Sequence, residues 1–117
     1  MVTEATLEAL LAFRRERDWE QFHTPKDLAV AISVEAGELL ERFQWTADGV
    51  EVGASVERLQ EVKHELADVA IYLTYLANDL GLDIEACILE KLALNRAKYP
   101  IERSKGSAAK YDSLGGP

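Results

Sequence analysis

The sequence predicts an all-α fold, a helical bundle of four main helices, and two observations carry that expectation. Apolar residues recur at three- and four-residue spacings through four segments, and no segment shows the strict alternation that a half-buried strand requires. The segments are also bounded by residues suited to starting and stopping helices.

The first helix is expected over about residues 4–17, with Leu7, Leu10 and Leu11 on one stripe and a charged run, Arg14 to Arg17, at its end. Residues 18–23, Asp-Trp-Glu-Gln-Phe-His, read as a loop that carries two large aromatics and a histidine. Helix two has a clear start, because Thr24 can cap it, Pro25 suits the first helical position and Asp27 sits at the positive end of the dipole. It is expected to reach about Gln44, followed by a turn at Thr46-Ala47-Asp48-Gly49 and a Gly- and Val-containing connector over 50–54. Ser55 can cap a third helix that runs to about Leu80, with Gly81 as a left-handed residue past its end. Asp83 can cap the fourth, which must stop by Tyr99 because Pro100 disfavours a helical residue before it. Residues 1–100 thus form the expected domain. Residues 101–117, which end Gly-Gly-Pro, form a tail expected to be partly ordered or wrapped on a partner subunit.

At 117 residues, two long apolar helices and two shorter ones make a thin bundle, so a second copy is expected to complete the core. The formal charge of −8 argues against nucleic acid and anionic membrane surfaces as partners. No apolar run reaches the roughly 18–20 residues that span a bilayer. Cys87 is the one cysteine, so no internal disulfide forms; it reads as a small core residue, and a reducing, cytoplasmic setting is expected.

The charge is unevenly spread. Residues 27–90 hold fourteen acids and three bases, whereas residues 91–117 hold two acids and six bases. An acidic middle can be a solvated face or a set of carboxylates gathered around a cation. On a helical wheel, Leu28, Ile32, Leu39 and Phe43 share one sector of helix two, and Glu35 and Glu38 fall inside or beside it. On helix three the apolar sector is Leu59, Val62, Leu66, Val69, Leu73, Leu76 and Leu80, edged by Glu61, Glu65, Asp68 and Tyr72. Two carboxylate pairs at i, i+3, Glu35/Glu38 and Glu65/Asp68, therefore lie beside buried faces, and an antiparallel return would bring them together. Close carboxylates repel and raise one another's pKa unless a cation neutralises them, and all-oxygen ligation favours Mg²⁺, with Mn²⁺ as a substitute. A carboxylate-bridged iron site would need Glu-x-x-His pairs, and His64 is one residue out of register.

Lys91, Asn95 and Lys98 form a stripe at i, i+4 and i+7 that could hold phosphate oxygens or simply complement a helix end. Trp19, Phe22, Trp45 and Tyr72 could sandwich a base or pack in the core.

With these residues on the page, the chain resembles the MazG-like all-α nucleoside triphosphate pyrophosphohydrolases, whose motif is E-x2-E, a spacer, then E-x2-D. Here it reads Glu35-Ala-Gly-Glu38 and Glu65-Leu-Ala-Asp68. The likeness is strongest to the dCTP pyrophosphatase branch, through RDWEQFH at 17–23, EAGELLERFQW at 35–45, ELADVAIYL at 65–73, NRAKYP at 95–100 and KY at 110–111. The resemblance implies hydrolysis of a deoxynucleoside triphosphate, dCTP or a modified form such as 5-methyl-dCTP, to the monophosphate and pyrophosphate, in nucleotide-pool sanitation. It implies Mg²⁺ on Glu35, Glu38, Glu65 and Asp68, and base and sugar contacts from Trp19, Glu20, Gln21, Phe22, His23, Trp45 and Tyr72. Lys91, Asn95 and Lys98 are expected to steady the phosphates. Glu38 or Glu41 is expected to orient the attacking water. A homodimer or homotetramer is implied. The competing reading from the residues is a non-catalytic acidic helical module that binds a basic partner.

Overall fold

The structure is a computed structural model that describes residues 2–110 and 112. All regular elements among the described residues are helical: α1 (Glu4–Glu16), α2 (Pro25–Glu41), α3 (Val56–Asp79), α4 (Ile84–Lys98) and a one-turn α5 (Ile101–Ser104). The four main helices are those the sequence predicts, and their starts are chemical. The side chains of Thr3, Thr24, Ser55 and Asp83 each accept a hydrogen bond from a backbone N–H in the first turn of α1, α2, α3 and α4. Gly81, at φ 69°, follows α3 in the left-handed region.

Two connections differ from expectation. Residues 18–23 are not an open loop, since Glu20–Phe22 forms a 3-10 turn. Asp18 enters it at φ 56°, and the Gln21 amide donates to the Asp18 carbonyl and carboxylate at 3.0 and 3.2 Å. Helix α2 ends at Glu41 rather than near Gln44, because the chain tightens into i→i+3 bonds, Arg42 to Leu39 and Phe43 to Leu40. The connector Val50–Ala54 is a second 3-10 turn, entered through Gly49 at φ 83°. A Cβ on Gly49 would lie 2.7 Å from the Phe43 ring, so glycine is required there by both conformation and space.

The chain divides into two units, Met1–Leu82 and Asp83–Pro117, at a point inside the 1–100 stretch. In the first unit α2 packs along α3, while α1 and the second 3-10 turn also contact α3. Leu28, Val52, Val62 and Tyr75 form its buried apolar core, joined by Arg14, Glu65 and Thr74. The wheel for α3 needs correction: Val62 is buried, but Leu59, Leu66, Leu73 and Leu80 are 38–53% exposed. The inward positions go instead to Glu65, Thr74 and Tyr75. A wheel finds the apolar side of a helix but not which part of it a single chain can cover. The second unit contains α4 and α5, and Cys87 on α4 is exposed rather than a core residue. Of the expected tail, residues 111 and 113–117, including Tyr111 of the Lys110-Tyr111 pair, lie outside the described residues. No helix among the described residues is long and apolar enough to cross a membrane.

Candidate functional site

Because α2 and α3 pack side by side, the carboxylates at their edges meet. Glu35, Glu38 and Glu65 each place an oxygen within 4.8 Å of the others. Glu65 is buried and the two α2 residues are half-buried. Glu35 and Glu38 are three residues apart and project from one face of α2, so the pair arrives as a unit.

The cluster is electrically divided. Burial, a contact with the Glu38 carboxyl, and the charges of Glu38, Asp68 and Glu65 push the Glu35 carboxyl up to about 7. The Arg42 guanidinium holds Glu65 below the usual carboxylate range: its Nη2 donates to Glu65 Oε1 at 2.9 Å. The same guanidinium places Nη1 3.5 Å from Glu61 Oε2. Oε2 of Glu35 and Oε2 of Glu65 are buried without a hydrogen-bond partner. Orphaned carboxylate oxygens are costly unless a cation meets them, so the donor set fits a hard divalent ion. The cluster contains no histidine. His64 is exposed and pairs with Gln60 at 3.3 Å, which gives no support to an iron site.

Beside the carboxylates lies a cavity of about 430 Å³. Its walls come from Ala9, Leu10 and Phe13 on α1, Trp19 and His23 in the following turn, and Asp68, Ile71, Tyr72 and Tyr75 on α3. Asp68, expected as a fourth member, lies outside the three-carboxylate group: it lines the cavity, and its charge acts on Glu35. The Tyr72 hydroxyl titrates higher than usual through burial and then the charges of Glu35, Asp68 and Glu38, which places this wall next to the cluster.

A partly buried latch shapes the cavity. Arg14 Nη1 and Nη2 donate to the two oxygens of Asp79 at 2.9 and 2.8 Å, an α1-to-α3 fork. The guanidinium carbon of Arg14 lies 4.5 Å from the centre of the Tyr75 ring, and the Tyr75 hydroxyl donates to the Leu10 carbonyl at 2.7 Å. His23 packs against Tyr72 and Tyr75 with ring centres 6.1 and 5.5 Å apart, and its Nδ1 is buried without a partner. Burial keeps this imidazole below its ordinary pKa, so it is neutral at pH 7. Trp19 stands edge-on to Phe13 at 5.6 Å, and its backbone N–H donates to the Arg14 carbonyl.

Of the residues the sequence singles out, the structure brings Glu35, Glu38 and Glu65 into one group, and Asp68, Trp19, His23 and Tyr72 around the neighbouring cavity. Glu20, Gln21 and Phe22 occupy the exposed 3-10 turn between Trp19 and His23 and do not line the cavity. Glu41 is exposed at the end of α2, and Trp45 is 88% exposed. Lys91, Asn95 and Lys98 lie on α4 in the second unit. Sequence reasoning missed Arg42, the Arg14–Asp79 fork and Tyr75. Arg42 had a readable signal, being a cation one helical turn past Glu38, whereas Arg14 and Asp79 are 65 residues apart and carry none.

Comparison with known proteins places the chain among characterised relatives. Residues 30–114 match the MazG-like family. The chain is 42% identical over 118 residues to dCTP pyrophosphatase 1 of Rattus norvegicus, covering 95% of this chain and 69% of that protein. It is 41% identical over 117 residues to dCTP pyrophosphatase 1 of Homo sapiens, with the same shares covered. Its fold is similar to the crystal structure of a pyrophosphatase from Archaeoglobus fulgidus, with a TM-score of 0.76 and 44% identity, covering 83% of this chain and 91% of that one.

Proposed function

Since the chain belongs to the MazG-like family, we propose that its nucleotide pyrophosphohydrolase activity acts on dCTP or a modified dCTP such as 5-methyl-dCTP, releasing the monophosphate and pyrophosphate with Mg²⁺ as cofactor. The observation that carries this reading is an all-oxygen carboxylate cluster beside a mostly apolar cavity whose wall residue Asp68 acts by its charge on Glu35. A planar base and sugar fit the cavity, and the phosphates lie toward the carboxylates.

Glu35, Glu38, Glu65 and Asp68 would hold the metal, with Mn²⁺ an acceptable substitute. When bound, a divalent cation supplies Lewis acidity to the phosphoryl oxygens and makes a coordinated water more acidic. Trp19 and Tyr72 contact the base and sugar, and the unpartnered Nδ1 of neutral His23 offers a hydrogen-bonding position on the cavity wall. Of the two candidates for orienting the attacking water, Glu38 is favoured because it lies within the cluster, while Glu41 is exposed at the helix end. Lys91, Asn95 and Lys98 steady the phosphate tail, a role supported by their spacing on α4.

The protein acts as a homodimer or homotetramer. The partly exposed row Leu59, Leu66, Leu73 and Leu80, spaced by seven residues, supports burial against a second copy. A cytoplasmic nucleotide pool is its setting.

Binding linkage tests the substrate and cofactor together. Mg²⁺ with dCTP is expected to raise the melting temperature well beyond either alone, by about 2.7 kcal/mol of added stability at a hundredfold excess over Kd. A transition unmoved by the pair, or moved equally by dCTP without metal, contradicts the reading.

A further inference from the structure

Arg42 follows the last residue of α2 and lies one helical turn beyond Glu38, so it shares Glu38's face and reaches α3. Its guanidinium uses Nη2 on Glu65 Oε1 at 2.9 Å and Nη1 on Glu61 Oε2 at 3.5 Å. Glu61 is one turn before Glu65, so the two acids hold the fork from adjacent positions on one face of α3. The Glu65 side chain is 9% exposed, and its second oxygen, Oε2, is buried with no partner. One oxygen of this cluster carboxylate is therefore committed to a cation of the protein, and the other is left open.

A carboxylate in that state offers a metal one oxygen. To offer both, it must release the arginine and expose a buried charge to a cation that competes for the same lone pairs. Ca²⁺ takes more oxygens than Mg²⁺ and readily accepts carboxylates through both, whereas Mg²⁺ demands a compact octahedron with single-oxygen donors and retained water. We propose that Arg42 is a positioning residue that keeps Glu65 a one-oxygen donor and thereby biases the carboxylate cluster toward Mg²⁺ and Mn²⁺ and against Ca²⁺. The inference rests on the divalent-cation reading of the cluster and goes beyond it, because it assigns the choice of ion to a residue that is not itself a ligand.

The test is an equilibrium titration of the metal-free protein with Mg²⁺, Mn²⁺ and Ca²⁺, read as dissociation constants without substrate. Arg42→Gln is expected to tighten Ca²⁺ relative to Mg²⁺ by about tenfold, a usual size for the loss of a residue that orients a ligand. Arg42→Lys keeps a cation on Oε1 and is expected to retain the wild-type ratio. A ratio unchanged in Arg42→Gln, or shifted equally in both variants, overturns the proposal. If Arg42→Gln fails to fold, the wild-type protein still decides: the guanidinium N–H signals of Arg42 should persist by NMR at saturating Mg²⁺, and their loss overturns the proposal. Wild-type protein that binds none of the three ions overturns the cation reading itself, an outcome distinct from an unmoved ratio.

Discussion

Glu38→Gln or Asp68→Asn is expected to lower pyrophosphate release on the order of 10³-fold or more while leaving helix content and melting temperature close to wild type. Both changes keep side-chain size and remove one negative charge. Glu38 shares a 4.8 Å cluster with Glu35 and Glu65, and Asp68 adds its charge to theirs, so each change relieves repulsion in the metal-free fold. On the proposed metal reading, what disappears is a charged oxygen donor, for which a neutral amide carbonyl is a weaker substitute. Steady-state assays with circular dichroism and thermal melts separate the two effects. Near wild-type turnover in a folded variant would remove that residue from the metal site.

The second large effect falls on stability. Asp79→Asn is expected to cost about 2–3 kcal/mol, less than a fully enclosed ion pair because the Asp79 side chain is 25% exposed against 6% for Arg14. The substitution leaves a buried guanidinium without its counter-charge. Since Arg14 also stacks on Tyr75, and Tyr75 bonds to the Leu10 carbonyl, the latch holds two cavity walls together, and a higher KM should accompany the lower melting temperature. The pH dependence has a definite sign. The hydrogen bond from Arg14 lowers the Asp79 pKa in the folded state, so the stabilisation is full above the unfolded value of about 3.9 and fades as pH falls through the folded one. The gap in stability between wild type and Asp79→Asn, measured by chemical denaturation, should therefore be wide at pH 7 and close in strong acid. A gap unchanged down to pH 2 contradicts the assignment.

Helix starts were the most legible part of the fold because their chemistry is local. Thr24 before Pro25, Ser55 and Asp83 mark starts that cap bonds confirm, and Gly81 marks a stop by its left-handed backbone. The convergence of Glu35, Glu38 and Glu65 was legible too, since an acid beside an apolar stripe must meet something when two such stripes pack. Properties set by distant or uncovered neighbours were not. Leu59, Leu66, Leu73 and Leu80 look like core on a wheel and stand partly in solvent in a single chain. Trp45 was expected near the base and is almost wholly exposed. The end of α2 fell three residues short because no glycine marks it and weak 3-10 bonding decides where it unwinds. The Arg14–Asp79 fork joins residues 65 apart, and only the fold reveals it.

The central claim, that a divalent-metal site beside a nucleoside cavity cleaves between the α- and β-phosphates, is tested most directly by the products. Wild-type protein incubated with dCTP and with 5-methyl-dCTP, with and without Mg²⁺, should release monophosphate and pyrophosphate in equal amounts by ³¹P NMR, and only when the metal is present. Nucleoside diphosphate with orthophosphate, or equal turnover after complete metal removal, would contradict it.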